Sequence, residues 1–190
     1  MTERLVDRQV VHQGTYMTFT KDTVLDADGR EHTRDMVLHP GAATVVAITP
    51  DRRVLLVRQY RHAAGEELLE LPAGKLDRQP DGSTEDRLLA AKRELTEETG
   101  YRAETWRDLG TFFTAPGFAS ELMTTFLATG LSPDPEFKGP DPDERLELEL
   151  MPFDEALALA VNGELRDAKT ILGILQVDAL ARAGEVPELA

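Results

Sequence analysis

The sequence predicts a mixed α/β or α+β domain built of packed layers, and three observations lead to that fold class. Strand-like and helix-like segments follow one another irregularly, without the repeated strand–helix–strand units of a doubly wound parallel sheet. Hydrophobic residues make up 41% of the chain and charged residues 29%, which is typical of a globular protein. The length of 190 residues is enough for one substantial core beside a cleft. We therefore expect one folded unit.

The first part of the chain is predicted to be β-structure. An Asp-Gly pair lies between two partly alternating runs within residues 15–37, a pattern typical of a β-hairpin. Residues 42–49 and 53–59 are rich in aliphatic side chains and are separated by a polar turn, so we predict two adjacent antiparallel strands. A short strand at residues 67–71 should end at Pro72, because proline donates no backbone hydrogen bond.

A helix is predicted over residues 84–99. Ser83 followed by Asp86 is typical of a helix start with an acidic first turn. Gly100 should end the helix in a left-handed conformation, because glycine has no Cβ to clash there. Residues 132–143 contain four prolines and are predicted to form a loop. Further strands are predicted at residues 108–113, 122–129 and 147–151, and further helices at residues 154–161 and 167–183.

Composition excludes several classes of function. The formal net charge is −14, so the long-range field repels phosphate backbones and disfavours nucleic-acid binding. The chain has no cysteine, which excludes disulfides, thiolate catalysis and cysteine-bound zinc. The sequence has no apolar run of about eighteen residues that could cross a bilayer, and its N-terminus lacks a signal peptide's apolar core. We expect a cytoplasmic protein with no membrane partner.

Three carboxylates are predicted to converge on the helix over residues 84–99. Each helical residue advances about 100°, so Glu94, Glu97 and Glu98 fall on one face. Ala91 and Leu95 belong to an apolar stripe beside them, which places the carboxylates at the edge of the core. Hard oxygen ligands without a neighbouring cysteine or histidine favour Mg²⁺ or Mn²⁺. Taken alone, such a pattern favours a solvated acidic helix face over a metal site.

The wider pattern resembles the Nudix box. Its members here are Gly74, Glu85, Arg93, Glu94, Leu95, Glu97, Glu98 and Gly100, with seven residues between Glu85 and Arg93. The chain departs from the family between Gly74 and Glu85, where ten residues stand instead of five. Loop-closure entropy grows only with the logarithm of length, so we expect this surface extension to be tolerated.

The resemblance implies a metal-dependent hydrolase of a diphosphate. By this likeness Glu94 and Glu98 would be the main metal ligands, and Glu97 would be a further ligand, either directly or through water. The Ala73 carbonyl would complete the shell, and Arg93 would orient the glutamates. The general base in this family often lies on a loop outside the box. The resemblance makes Glu144 the first candidate, with a solvated loop acid as the alternative reading and with Glu97 or Asp143 as alternative bases.

Residues 57–61 and 70–77 are similar to the ADP-ribose pyrophosphatase branch of the family. This likeness implies that Arg61 contacts the diphosphate or base of the substrate, although an ordinary surface charge remains an alternative. Pro116 lies fifteen positions beyond Tyr101, where that branch carries a proline, and Glu121 matches a glutamate directed toward the terminal ribose. Gly74 is also assigned to substrate binding. None of the four histidines has metal-ligand spacing, and none is assigned a role.

The resemblance also predicts architecture and partners. It implies a Nudix-type α/β/α sandwich with a mixed sheet at residues 41–190, preceded by a small β-subdomain at residues 1–40. In this branch the subdomain commonly exchanges across a homodimer. The predicted substrate is a small nucleoside diphosphate sugar, with ADP-ribose first. Three alternatives remain: a hydrolase of another nucleoside diphosphate compound, a non-catalytic Nudix-like regulator, and an acidic interaction protein.

Overall fold

The computed structural model describes residues 2–139 and 145–189, which form ten strands, three α-helices and one short 3₁₀ helix. The strands are β1 (Arg4–Gln13), β2 (Thr18–Leu25), β3 (Glu31–Leu38), β4 (Ala42–Ala47), β5 (Arg53–Arg61), β6 (Glu66–Glu70), β7 (Ala73–Lys75), β8 (Tyr101–Phe113), β9 (Leu122–Pro133) and β10 (Glu147–Pro152). The helices are α1 (Arg87–Thr99), α2 (Phe153–Val161), α3 (Ala168–Arg182) and the 3₁₀ segment Pro187–Leu189. Of the helices in this described part, none is long and apolar enough to span a membrane.

Two sheets form the central layer of the molecule. The first has the order β7-β4-β9-β8 and is mixed, because β4 runs parallel to β9 but antiparallel to β7. The second has the order β10-β5-β6 and is antiparallel throughout. Every residue of β4 is buried, as expected for a central strand that is covered on both faces.

Helices cover both faces of this layer. Successive side chains of a strand point to opposite faces, so Val46 packs into the core beneath α2 and α3 while Val45 packs into the core beneath α1. Leu56 and Leu55 of β5 divide in the same way. Each such side chain contributes roughly 1.5–3 kcal/mol when fully buried. The predicted mixed α/β/α sandwich is confirmed.

The prediction that β4 and β5 pair as neighbours is wrong. The two strands belong to different sheets, and an isolated antiparallel bridge joins Ile48, the residue after β4, to Val54 of β5. The physical reason is that β4 has partners on both sides, β7 and β9, and therefore has no free edge for β5. The turn between them directs the chain from one sheet into the other.

The first three strands form a separate antiparallel sheet of order β1-β2-β3. The predicted hairpin corresponds to β2 and β3, whereas β1 was not predicted. All ten residues of β1 are exposed, so this strand lacks the buried alternation that identifies a strand in a sequence. The sheet is tied to the remainder of the chain at Val37, whose N–H donates to the Phe118 carbonyl at 2.7 Å and whose carbonyl accepts from Ser120 at 2.9 Å.

Candidate active site

Helix α1 carries the predicted glutamates and is fixed at both ends. The side chain of its N-cap, Asp86, accepts hydrogen bonds from the N–H groups of Leu88 and Leu89 at 2.9 and 3.1 Å. At the other end Gly100 has a φ of 73° and donates its N–H to the Thr96 carbonyl. The predicted glycine cap is confirmed. The helix starts at Arg87 rather than at residue 84, because Asp86 is the cap.

The three glutamates of α1 lie in two environments. Glu94 and Glu98 are buried, with 9% and 7% of their surface exposed. The side chain of Glu97 is 55% exposed. Ala91 and Leu95 are fully buried beside the first two, in agreement with the predicted apolar stripe. The helix therefore presents two carboxylates at the edge of the core and a third toward solvent.

A cleft of about 640 Å³ opens beside the two buried glutamates. The predicted site residues that line it are Arg61, Ala73, Gly74, Glu94, Glu98 and Glu121. Residues of the N-terminal sheet, the β8–β9 connection and the start of α3 complete the wall, among them Tyr16, His39, Thr114, Asp167 and Lys169. The fold thus brings distant parts of the chain to one concave surface.

Strand β7 brings backbone directly against these carboxylates. The N–H of Ala73 donates to Glu98 Oε2 at 3.0 Å. A Cβ added to Gly74 would lie 2.0 Å from Glu94 Oε1 and 2.1 Å from its Cδ, far inside contact distance. Glycine is therefore required at this position by the close approach of the strand to Glu94, whatever else it contributes.

Arg93 ties several carboxylates together. Its Nη1 donates to Glu94 Oε1 at 2.7 Å and to Glu97 Oε2 at 2.9 Å. Its Nε and Nη2 donate to the two oxygens of Glu85 at 3.2 and 2.9 Å. The pKa of Arg93 is raised, first by the Glu85 hydrogen bonds and further by Glu94 and Glu97, against the opposing effect of burial. Arg93 thereby orients Glu94 and holds Glu97 on the outer side of the helix.

The extension between Gly74 and Glu85 does not separate the two ends of the loop, because Asp77 and Glu85 are hydrogen-bonded to each other. The N–H of Asp77 donates to Glu85 Oε2 at 3.2 Å, and the N–H of Glu85 donates to the Asp77 carbonyl at 2.8 Å. Between them, Arg78 and Thr84 form an isolated antiparallel bridge. The extra residues are looped outward above this bridge, so Glu85 still reaches Arg93.

The guanidinium of Arg61 is held at the cleft by a buried carboxylate. Arg61 Nε and Nη2 donate to the two oxygens of Glu70, both at 2.7 Å, and Glu70 is 1% exposed. Lys169 also pairs with Glu70, and its Nζ lies 3.0 Å from Asp167 Oδ2. Burial raises the pKa of Glu70, but Arg61 and Lys169 together outweigh burial and keep that pKa below its ordinary value. The pairing fixes Arg61 with 43% of its side chain exposed.

Of the remaining predicted residues in the described part of the chain, one lines the cleft and one does not. Glu121 lies on the cleft wall, where its Oε2 accepts from Thr114 Oγ1 at 2.6 Å. Pro116 is exposed in the turn before β9 and does not line the cleft. Glu144 and Asp143 lie outside the described residues. Gly74, Glu94 and Glu98 therefore lie on one cleft wall together with Arg61 and Glu121. Glu97, Arg93 and Pro116 do not line the cleft.

Comparison with known proteins identifies the family of the chain. Residues 38–172 match the model of the NUDIX domain family. The chain belongs to the Nudix family. It is 36% identical over 172 residues to the methanol dehydrogenase activator of Bacillus methanolicus, an alignment that covers 90% of each chain. It is 34% identical over 174 residues to the ADP-ribose pyrophosphatase of Bacillus subtilis strain 168, covering 92% of this chain and 91% of that one.

The chain also resembles a solved structure in its fold. The fold matches a crystal structure of an ADP compounds hydrolase with a TM-score of 0.80, covering 98% of both chains. Sequence identity to that protein is 23%, so the likeness is one of fold. It covers the N-terminal sheet as well as the sandwich, since almost the whole of each chain is included.

The oxygen donors at this Nudix site suit a hard cation whose remaining ligands are water and substrate. Within residues 2–139 and 145–189, no group of three or more His, Cys, Asp or Glu side chains is arranged to hold a metal ion by itself. Glu97, the third carboxylate of the helix, is bound by Arg93 and does not line the cleft. Glu94 and Glu98 remain beside the backbone of β7, where Gly74 leaves no room for a side chain. Mg²⁺ is typically bound by one or two carboxylates together with water and substrate phosphates, so these residues fit it.

Sequence reasoning missed several residues of this Nudix cleft. His39 was assigned no role, yet it lines the cleft beside Glu121. Lys169 was missed as well, although one signal could have revealed it. It lies in the first turn of a predicted helix, where a cation is unfavourable unless a carboxylate compensates it. Its partner is Glu70, 99 residues earlier, and this separation explains why local patterns could not identify the pair.

Proposed function

We propose that this Nudix protein is a pyrophosphohydrolase that cleaves the diphosphate of ADP-ribose, or of a related ADP-sugar, to AMP and a sugar phosphate. The observation that carries the proposal is the cleft of about 640 Å³, whose wall includes Glu94, Glu98, Arg61 and Glu121. A volume of that order suits a nucleotide-sized ligand. The likeness to the Bacillus subtilis ADP-ribose pyrophosphatase supports the substrate class.

Mg²⁺, or Mn²⁺ in its place, is our proposal for the metal, with Glu94, Glu98, Glu97 and the Ala73 carbonyl as donors. Oxygen donors in a chain without cysteine support that choice. When bound, such a cation neutralises phosphate charge and lowers the pKa of a coordinated water. Glu97 would have to leave Arg93 Nη1 and turn toward the cleft, or act through water, to take part.

The protein's own residues orient the reactants. Arg93 holds the Glu94 carboxylate, and the Ala73 N–H holds the Glu98 carboxylate, so both are positioned before substrate arrives. Water would attack one phosphorus of the diphosphate, and Glu144 is our candidate for accepting its proton. Near-normal turnover of Glu144→Gln at saturating substrate would move that role to Glu97 or Asp143.

We propose that Arg61 and Glu121, which both line the cleft, recognise different parts of the substrate. The exposed part of the Arg61 guanidinium would contact the diphosphate or the base, since its opposite edge is taken by Glu70. Glu121 would accept hydrogen bonds from hydroxyls of the terminal sugar. Pro116 would act through the shape of the turn that leads to Glu121, because it does not itself line the cleft.

We also propose a homodimer formed through residues 1–40 and a cytoplasmic setting. Strand β1 exposes several large apolar side chains, among them Leu5, Val6, Val10 and Val11, each 46–55% accessible. Such a patch on an otherwise exposed strand is typical of an interface. The absence of cysteine fits a reducing compartment. A solution mass equal to one 21.0 kDa chain would exclude the dimer.

A substrate panel tests the proposed function. We expect kcat/KM in the presence of Mg²⁺ to be highest for ADP-ribose and ADP-glucose, followed by GDP-mannose, and lowest for NADH and 8-oxo-dGTP. The physical basis is that 8-oxo-dGTP has no sugar beyond its phosphates to reach Glu121, whereas NADH has such a ribose but carries a nicotinamide on it that the cleft would also have to accommodate. A clear preference for NADH or 8-oxo-dGTP would overturn the substrate class, and binding of these compounds without hydrolysis would indicate a regulator instead.

A further inference from the structure

The cleft contains a histidine whose surroundings fix its hydrogen-bonding state. The side chain of His39 is 9% exposed, and the Tyr16 ring meets it edge-on with 5.6 Å between ring centroids. Its backbone N–H donates to Ser120 Oγ at 2.9 Å. The residue is therefore anchored at the junction between the N-terminal sheet and the β8–β9 connection.

The two ring nitrogens of His39 have different partners. Nδ1 accepts a hydrogen bond from the N–H of Gly41 at 3.1 Å, so Nδ1 carries no proton. In the neutral ring the proton is then on Nε2, which lies 3.5 Å from Glu121 Oε1. Burial lowers the pKa of His39, and Glu121 opposes that shift only in part. The ring thus places a neutral N–H near one oxygen of Glu121, at a distance longer than an ordinary hydrogen bond.

The other oxygen of Glu121 accepts a hydrogen bond. Oε2 accepts from Thr114 Oγ1 at 2.6 Å, from the opposite end of the β8–β9 connection. A carboxylate has about four lone-pair directions, so the Thr114 hydrogen bond and the longer His39 contact leave acceptor positions that face the cleft. The carboxylate retains 26% exposure there. Its orientation is set by Thr114 and His39 before a ligand enters.

We propose that His39 is a positioning residue that, through its Nε2–H, orients Glu121 to accept hydrogen bonds from hydroxyls of the sugar beyond the substrate's diphosphate. The inference rests on the proposed function and deepens it, because it assigns discrimination for the distal sugar to a pair of residues. His39 itself does not touch the reacting atoms. Its effect is on the choice of substrate.

Two substitutions separate this role from a structural one. His39→Gln can place an amide N–H near the Nε2 position but provides no acceptor for Gly41 at the Nδ1 position. His39→Asn does the reverse, because its shorter amide reaches the Gly41 N–H and not Glu121. A residue that merely anchored the Gly41 backbone would tolerate asparagine and suffer from glutamine. The proposal predicts the opposite: glutamine is tolerated at position 39 and asparagine is not.

The kinetic test compares ADP-ribose with the β-methyl ester of ADP, which keeps the diphosphate and lacks the distal sugar. We expect His39→Asn to raise KM for ADP-ribose by about two- to threefold, the low end of the value of a hydrogen bond because the Nε2–Oε1 contact is long, with kcat little changed. KM for the methyl ester should not change in either variant, and His39→Gln should stay close to wild type for both substrates. The matched control is His12→Gln, since His12 is exposed on β1.

Two outcomes would overturn the inference. One is an equal effect of His39→Asn on both substrates while wild-type protein hydrolyses ADP-ribose, which would leave the proposed function intact. The second is independent of activity: ¹⁵N NMR of the histidine ring at neutral pH should show a neutral His39 with the proton on Nε2. A proton on Nδ1, or on both nitrogens, would contradict the geometry even if ADP-ribose proved not to be the substrate.

Discussion

Replacing Glu98 with glutamine should lower kcat for ADP-ribose by about three orders of magnitude, because a neutral amide is a poor ligand for a hard cation whose charge stabilisation is worth several kcal/mol. The fold should survive. Glu98 accepts its hydrogen bond from the Ala73 N–H through one oxygen, and the amide oxygen of glutamine can accept the same bond. Turnover at saturating Mg²⁺ and substrate, together with the thermal midpoint, measures both expectations.

Glu155→Gln is the matched control for this substitution. Glu155 is exposed on α2, away from the cleft, so the same replacement of a carboxylate by an amide can be made there. It should leave kcat unchanged. Wild-type-like turnover in a correctly folded Glu98→Gln protein would remove Glu98 from the reaction and with it the metal site on α1.

Gly74→Ala should reduce kcat by about a hundredfold, the effect expected when a catalytic group is displaced by roughly 1 Å. The added methyl would overlap the Glu94 carboxylate, whose Oε1, Cδ and Oε2 all lie within 2.5 Å of the Cβ position. Either Glu94 must turn away from Arg93 or β7 must move out from the helix. A steady-state titration with Mg²⁺ should also show a higher concentration for half-maximal activity.

Gly117→Ala provides the control, because a Cβ at Gly117 meets nothing within 4 Å and its φ lies outside the left-handed region. That variant should retain full activity, although it lies in the turn that leads to Glu121. If Gly74→Ala retained wild-type kcat and an unchanged Mg²⁺ dependence, the position of the Glu94 carboxylate observed here would be irrelevant to catalysis.

Local patterns predicted the parts of the site that one segment builds by itself. Helical periodicity placed Glu94 and Glu98 at the edge of the core, and a glycine after the last turn placed the cap at Gly100. Both depend on residues within four positions of one another. The same locality explains why the layered fold class could be inferred, since strand and helix periods are properties of single segments.

The errors arose where distant segments decide the outcome. The pairing of β4 depends on β9, some 80 residues later, and no property of residues 42–49 alone identifies that partner. The same holds for the Glu70–Lys169 pair and for His39, whose importance follows from the position of Glu121. Glu97 shows a subtler limit. Helical periodicity placed Glu97 near Glu94 and Glu98 on the helix. Its side chain is nevertheless bound by Arg93 of the same helix and is directed toward solvent.

The most direct test of the central claim is ³¹P NMR of ADP-ribose incubated with the purified chain, with and without Mg²⁺. The diphosphate resonances should disappear in the presence of Mg²⁺ and be replaced by two phosphomonoester resonances of equal intensity, from AMP and ribose 5-phosphate. With excess EDTA the diphosphate should persist. An unchanged spectrum in the presence of either Mg²⁺ or Mn²⁺, or the same rate of conversion in EDTA, would contradict a metal-dependent pyrophosphohydrolase at Glu94 and Glu98.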